Sequence, residues 1–241
     1  MSVLPNISNN DNVNFEIILH STGTDPDHQR LDRILALKKL PWSFNLVEQH
    51  ELANLPGGDE GQPVMQIGRC FFVGSFVSII ALEQLKATPT FFPNGNCGMP
   101  LALAWWSSEF FRVLRDNQDD GLFKKYCTII SRQIIDGRHF LQGSLPGLAD
   151  IHSYAPLWAL KKHGRDMTIL ECDALLAPWY QRMANIGECR PKKINLDENN
   201  LLGKQSLFET NFPECDAIAD KETRRWKDQG KLFLWRSPLV N

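Results

Sequence analysis

The stretch ILHSTGTDPDHQRLDRIL, from Ile18 to Leu35, sets polar side chains between an apolar run and a helix-like one. His20, Ser21, Thr22 and Thr24 offer an imidazole and hydroxyls, Asp25 and Asp27 offer carboxylates, and no cysteine is present. Such a strand-to-helix junction is where many α/β proteins keep their chemistry, because the first backbone N–H groups of the helix are free to meet an anion. The aspartates also have a structural role available. Asp is among the best N-cap residues, so Asp25 suits a helix cap and Asp27 the favourable first turn. Lacking a cysteine, the loop holds no group for thiol–disulfide exchange.

The elements that must position these residues are legible in the apolar pattern. NFEIILH (14–20) reads as a buried strand, and Leu31, Ile34, Leu35 and Leu37 give the following helix its apolar face. LPW breaks that helix, SFNLVEQ alternates as a second strand, and ANLPGGDEGQP (53–63) is a turn region. VMQIG and CFFVG flank Gly68 and Arg69 as a tight hairpin, and SFVSIIALEQL (75–85) returns to helical character. The order β-α-β-turn-β-β-α over residues 14–88 describes a small α/β layer. A Pro/Gly-rich linker at 89–98 leads into an all-helical region at 99–190, in which Pro156 is expected to kink one helix. Residues 191–241 resist assignment, although Phe208, Phe212, Trp226, Phe233 and Trp235 favour burial.

Bulk composition narrows the function classes. A formal net charge of −2, with 22% charged residues, carries no basic excess for nucleic acid. The polar start MSVLPNISNNDN is unlike a signal peptide, and no apolar run approaches the roughly 20 residues that span a bilayer. A cytoplasmic location follows as the expectation, with neither nucleic acid nor membrane as partner. The cysteines Cys70, Cys97, Cys127, Cys172, Cys189 and Cys215 are scattered without metal spacing, and most read as small buried hydrophobes. His152 and His163 have no metal-spaced partner, so no metal is expected. KKHGR and RPKK read as solvated helix ends.

A proline after a polar turn, a hairpin, and a Ser opening a helix make up QPVMQIGRCFFVGSFVSIIALEQL. This pattern resembles the second half of the thioredoxin-like domain of glutathione transferases. FLQGSLPGLADIHSYAPLWAL and PWYQRMANI resemble the core helices of the family's second domain. The resemblance covers roughly residues 14–190. It implies a thioredoxin-like α/β domain followed by an all-helical domain, with 191–241 as an extension of an atypical bacterial and fungal branch.

The resemblance further implies glutathione as cosubstrate. It places a cis bond at Gln62–Pro63, a ligand-pairing backbone at Val64, and N–H and hydroxyl groups at Ser75 for the γ-glutamyl carboxylate. Gly74 stands where most of the family has an acidic residue. Asp150 is in place for a reciprocal helix cap, but Gly147 offers no capping oxygen, which makes Asp150 a folding residue. In the family a Tyr or Ser hydroxyl holds the glutathione thiolate, or a Cys forms a mixed disulfide. Here three accounts of the first loop stand. Ser21, Thr22 or Thr24 donates the hydroxyl; protonated His28 offsets the aspartates; or Asp25 merely caps the helix, its charge disfavouring a thiolate. Trp105, Trp106, Phe110 and Phe111 read as core or a dimer face, and with Arg30 as second-rank pocket residues. The expected function is a glutathione-dependent enzyme, a transferase, lyase or isomerase acting on a small hydrophobic substrate, working as a homodimer. The rival is a non-catalytic module of the same fold that binds ligands or proteins.

Overall fold

The computed structural model describes residues 17–186, apart from 56, 59–60, 68–69, 94, 96 and 117–118, and the segments 192–194 and 233–235. The chain forms two compact units. One takes residues up to 23, 39–87 and from 189 onward; the other takes 24–38 and 88–188. Helix α1 (Pro26–Lys38), which follows the first strand in the chain, therefore belongs to the second unit.

In the first unit, β1 (Ile17–Ser21) runs parallel to β2 (Ser43–Leu46) and antiparallel to β3 (Val64–Ile67). Strand β4 (Cys70–Val73) pairs antiparallel with β3 in the register Ile67↔Cys70, the short connection the sequence predicts there. Every residue of β1 and β3 is buried, as expected of central strands. Alternation puts Val64, Phe71 and Val73 on one face, where Leu52 and Leu55 cover them. Leu52 ends a one-turn helix, α2 (Gln49–Leu52), inside the stretch read from sequence as strand end and turn. Helix α3 (Gly74–Leu85) follows β4 directly.

The tail supplies the sheet's two edges. Strand β5 (Lys192–Ile194) pairs parallel with β2 and β6 (Phe233–Trp235) parallel with β4, giving the order β5-β2-β1-β3-β4-β6. Lys192 and Lys193 thus lie in an edge strand, not at the helix end expected of RPKK. Phe208, Phe212 and Trp226 lie outside the described residues.

The second unit is built on α6 (Leu148–Lys162), buried along most of its length and packed against α1, α4 (Gly98–Asp116) and α8 (Leu176–Ala184). The α6 helix continues through Pro156 to Lys162. Helices α5 (Asp120–Gln133) and α7 (Thr168–Glu171) complete it. Asp150 organises the start of α6. Its carboxylate accepts the Leu141 N–H at 2.8 Å, the Gly147 N–H at 3.1 Å and the Trp179 indole N–H at 2.9 Å. Gly147 cannot carry a capping side chain, because a Cβ there would lie 2.9 Å from the Phe91 carbonyl oxygen. Close backbone approach explains the missing cap oxygen.

Two further expectations are corrected. The cis peptide bond lies at Thr88–Pro89, and Gln62–Pro63 is trans. A trans bond suffices where the chain simply runs extended into a strand, and it is the ordinary choice even before proline. Of the cysteines whose burial is described, Cys127 is buried, whereas Cys97 and Cys172 are exposed. No described helix is long and apolar enough to cross a membrane, and no cluster of described residues could hold a metal ion.

Candidate ligand site at the end of the sheet

Antiparallel register brings the separated motifs of the first unit together. His20 pairs with Val64, so one step further along the ladder stand Ser21 and Pro63. Val64 also pairs with Val73, after which Gly74 opens α3. Ser21, Thr22, Gln62, Pro63, Val64, Gly74 and Ser75 therefore converge at one end of the sheet. Thr24, beyond Gly23, belongs to the second unit.

Their environments differ. Ser21 is fully buried; its Oγ accepts the Gly23 N–H at 3.1 Å and its carbonyl accepts the Val47 N–H at 3.2 Å. Thr22 is half-buried and Thr24 exposed. Val64 is buried with strands on both sides, and the Pro63 carbonyl accepts the Gly74 N–H at 2.9 Å. The backbone around Pro63 is thereby tied to the start of α3.

Gly74 has φ +77°, in the left-handed region, and the Gln62 side-chain oxygen lies 2.2 Å from where its Cβ would be. The positive φ favours glycine at this position, whereas the Gln62 oxygen is the end of a flexible side chain that can swing aside. The half-buried Gln62 amide stands over Gly74, beside the position where most of the family has an acidic residue. Ser75 follows, buried in the first turn of α3.

At the start of α1, Asp25 Oδ1 accepts the His28 N–H at 2.7 Å, the bond of an N-cap. Asp27 pairs with Arg30 at 2.6 Å. Burial, with the Lys162 charge adding to it, pushes the His28 imidazole down to about 4. His28 is neutral near pH 7, which overturns the account in which its positive charge offsets the aspartates.

Sequence reasoning missed one network. The Nε2 of His20 stands 3.1 Å from Gln66 Oε1, and Asn45 Nδ2 stands 3.0 Å from His20 Nδ1. Both bonds form if the imidazole is neutral with its proton on Nε2. Burial agrees, pushing His20 down to about 4. The signal was present in IILHS, SFNL and VMQI, where His20, Asn45 and Gln66 stand in short strands beside apolar residues. His20 and Ser21 alternate to opposite faces, so His20 is a sheet residue and no part of the hydroxyl turn.

Comparison with known proteins gives this geometry a setting. No family model and no curated protein matches the sequence. Solved structures do match. A GST-like protein from Pseudomonas syringae is 24% identical, with 86% of this chain and 80% of that one covered at a TM-score of 0.67. A glutathione S-transferase from Rhodospirillum rubrum F11 is 19% identical, with 70% and 88% covered at 0.57. FzlA from C. crescentus is 18% identical over the same shares at 0.54.

The chain has the glutathione transferase fold.

Within that fold the thioredoxin-like layer carries the converging residues, and the tail adds an outer strand to each edge of the sheet. On α4, Trp106 stacks on the buried Tyr126 at 5.0 Å and Phe110 lies 4.9 Å from the same ring, each of the two half-buried. Trp105, by contrast, is 71% exposed.

Proposed function

We propose that this protein binds glutathione at the end of its sheet and uses it on a small hydrophobic electrophile, as a transferase or as a glutathione-dependent lyase or isomerase. The observation that carries this reading is the convergence of the Ser21–Thr22 turn, Gln62–Pro63 and Ser75 in the thioredoxin-like unit. Ser75 and the first N–H groups of α3 suit the γ-glutamyl carboxylate. The Gln62 amide has donors and an acceptor for the ligand's polar end, and Pro63, tied to the start of α3 through its carbonyl, holds that amide in place. Among the hydroxyl candidates, Thr22 and Thr24 are the accessible ones, whereas the Ser21 oxygen is buried and already accepts a bond. A hydroxyl donating to sulfur favours thiolate over thiol, which supplies nucleophile near neutral pH.

A second reading, a non-catalytic glutathione-transferase-like binding module, draws on Asp25. Its carboxylate caps α1 in the turn after β1, and a negative charge there opposes a thiolate. Retention of the protein on glutathione resin, with elution by free glutathione, tests the binding site common to both readings; absence of retention sinks the proposal. Turnover of a chromogenic electrophile separates them. Under the enzyme reading, Thr22→Ala or Thr24→Ala lowers turnover by roughly 10²-fold or more while retention persists. Retention without turnover assigns the binding module.

The proposed working form is a cytoplasmic homodimer. Support comes from the exposed surface of α4, where Met99 and Trp105 are 60% and 71% exposed, large apolar side chains suited to a self-complementary contact.

A further inference from the structure

Burial sets Ser21 apart from the other hydroxyls of the first turn. It ends β1 beside the apolar Ile17, Ile18 and Leu19, and is fully buried. Taking a hydroxyl out of water is costly unless it is hydrogen-bonded. Here the Oγ accepts the Gly23 N–H at 3.1 Å. That bond reaches two residues along the chain and closes a small ring around the Thr22 backbone, as serine hydroxyls do in tight turns.

Two further ties hold the same turn, all within the first unit. The Ser21 carbonyl accepts the Val47 N–H at 3.2 Å, just past Leu46, the residue that pairs with Ser21 in β2. Gly23 takes φ +73°, in the left-handed region, and a Cβ there would lie 3.3 Å from Phe44 Cζ and 3.6 Å from Leu46 Cδ1. The backbone of Gly23 thus rests against side chains of β2. Thr22 is held from both sides. Threonine is stiff at χ1, so a fixed backbone leaves its half-buried side chain few directions for the hydroxyl. Thr24 lies beyond this turn, in the second unit.

We propose that Ser21 is a positioning residue, whose buried hydroxyl fixes the turn that presents the Thr22 hydroxyl to the thiol of bound glutathione. This role rests on the glutathione reading and divides the work between two neighbouring hydroxyls. A donor favours the thiolate only while it is held at hydrogen-bond distance from the sulfur. The test reads the apparent pKa of the bound thiol from thiolate absorbance against pH, in the full-length protein, with retention on glutathione resin and Tm measured alongside. Thr22→Ala should raise that pKa by about one unit or more, because a hydrogen bond to a charged group is lost. Ser21→Ala should raise it by at least half as much while retention persists. The double variant Ser21→Ala/Thr22→Ala should match Thr22→Ala, since a residue that acts through Thr22 has nothing left to act on. A Ser21→Ala protein with lower Tm but an unmoved thiol would overturn the proposal, leaving Ser21 a folding residue. So would a further rise in the double variant, which would give Ser21 a contact of its own. A crystal of the wild type grown with glutathione decides the matter even if Ser21→Ala does not fold. Thr22 Oγ1 should lie within hydrogen-bond reach of the sulfur, with Ser21 Oγ still on the Gly23 N–H; a sulfur bonded to Ser21, to Thr24 or to no hydroxyl overturns the proposal. A wild type that the resin does not retain removes the glutathione reading and this role together, whereas retention with an unmoved thiol in Ser21→Ala removes this role alone.

Discussion

At the residue scale, Asp25 divides folding from chemistry. It caps α1 through the His28 N–H, and the same carboxylate puts a negative charge in the turn after β1. Serine caps nearly as well without the charge, so Asp25→Ser should leave stability within about 0.5 kcal/mol, whereas Asp25→Ala should cost about 1 kcal/mol. In the glutathione complex, Asp25→Ser should also lower the thiol's apparent pKa, read from thiolate absorbance against pH. An unmoved pKa would remove Asp25 from any account of the thiol. Gly74 is a second case. Gly74→Ala meets both the positive φ and the Gln62 oxygen, and should destabilise by more than about 1 kcal/mol in chemical denaturation. Pairing it with Gln62→Ala should restore only the steric part.

At the scale of elements, the start of α6 depends on Asp150. Burial pushes its carboxyl up to about 6, against the Trp179 indole and the Leu141 and Gly147 amides that favour the charged form. The unfolded value is near 3.8, so between these values the folded state binds the extra proton. The contribution of this group to stability is therefore full below pH about 4 and lost as pH rises through about 6. Asp150→Asn has no such titration. Relative to it, the wild type should lose on the order of 3 kcal/mol between pH 4 and pH 7, measured by denaturant unfolding at each pH. A constant difference across that range would show that Asp150 stays ionised. The strands before residue 88 and the long helices were legible because hydrophobic period distinguishes them, whereas the tail strands β5 and β6 were not, and Asp150 was legible as a folding residue from its spacing after Gly147. The one-turn helices α2 and α7 were not legible, since four residues show no period.

At the scale of the molecule, two surfaces make opposite predictions. The exposed apolar side chains of α4 are expected to hold two copies together, so Trp105→Glu should shift the protein to monomer in sedimentation velocity while leaving thermal stability near wild type. A monomeric wild type would remove that role. The sheet edges are expected to keep copies apart. Strand β6 covers β4 through Phe233, Leu234 and Trp235, so ending the chain at residue 232 uncovers unpaired backbone groups. The truncated protein should self-associate with rising concentration in light scattering, and unchanged scattering would show that β6 does not protect the edge.

The sequence by itself determined the class of each long element, their order, and the hydroxyl-rich turn after β1, because apolar period and turn residues are local signals. It also placed Asp25 at a cap and Asp150 in the fold. Tertiary structure alone decided the rest. The Asn45–His20–Gln66 network needs the register of three strands. The trans bond at Gln62–Pro63 and the Gln62 oxygen over Gly74 need the backbone path between β3 and α3. The lowering of the His28 pKa needs burial first and then the charge of Lys162, which is distant in the sequence. Each depends on which distant groups arrive beside a residue, and one residue's local neighbours carry no record of that.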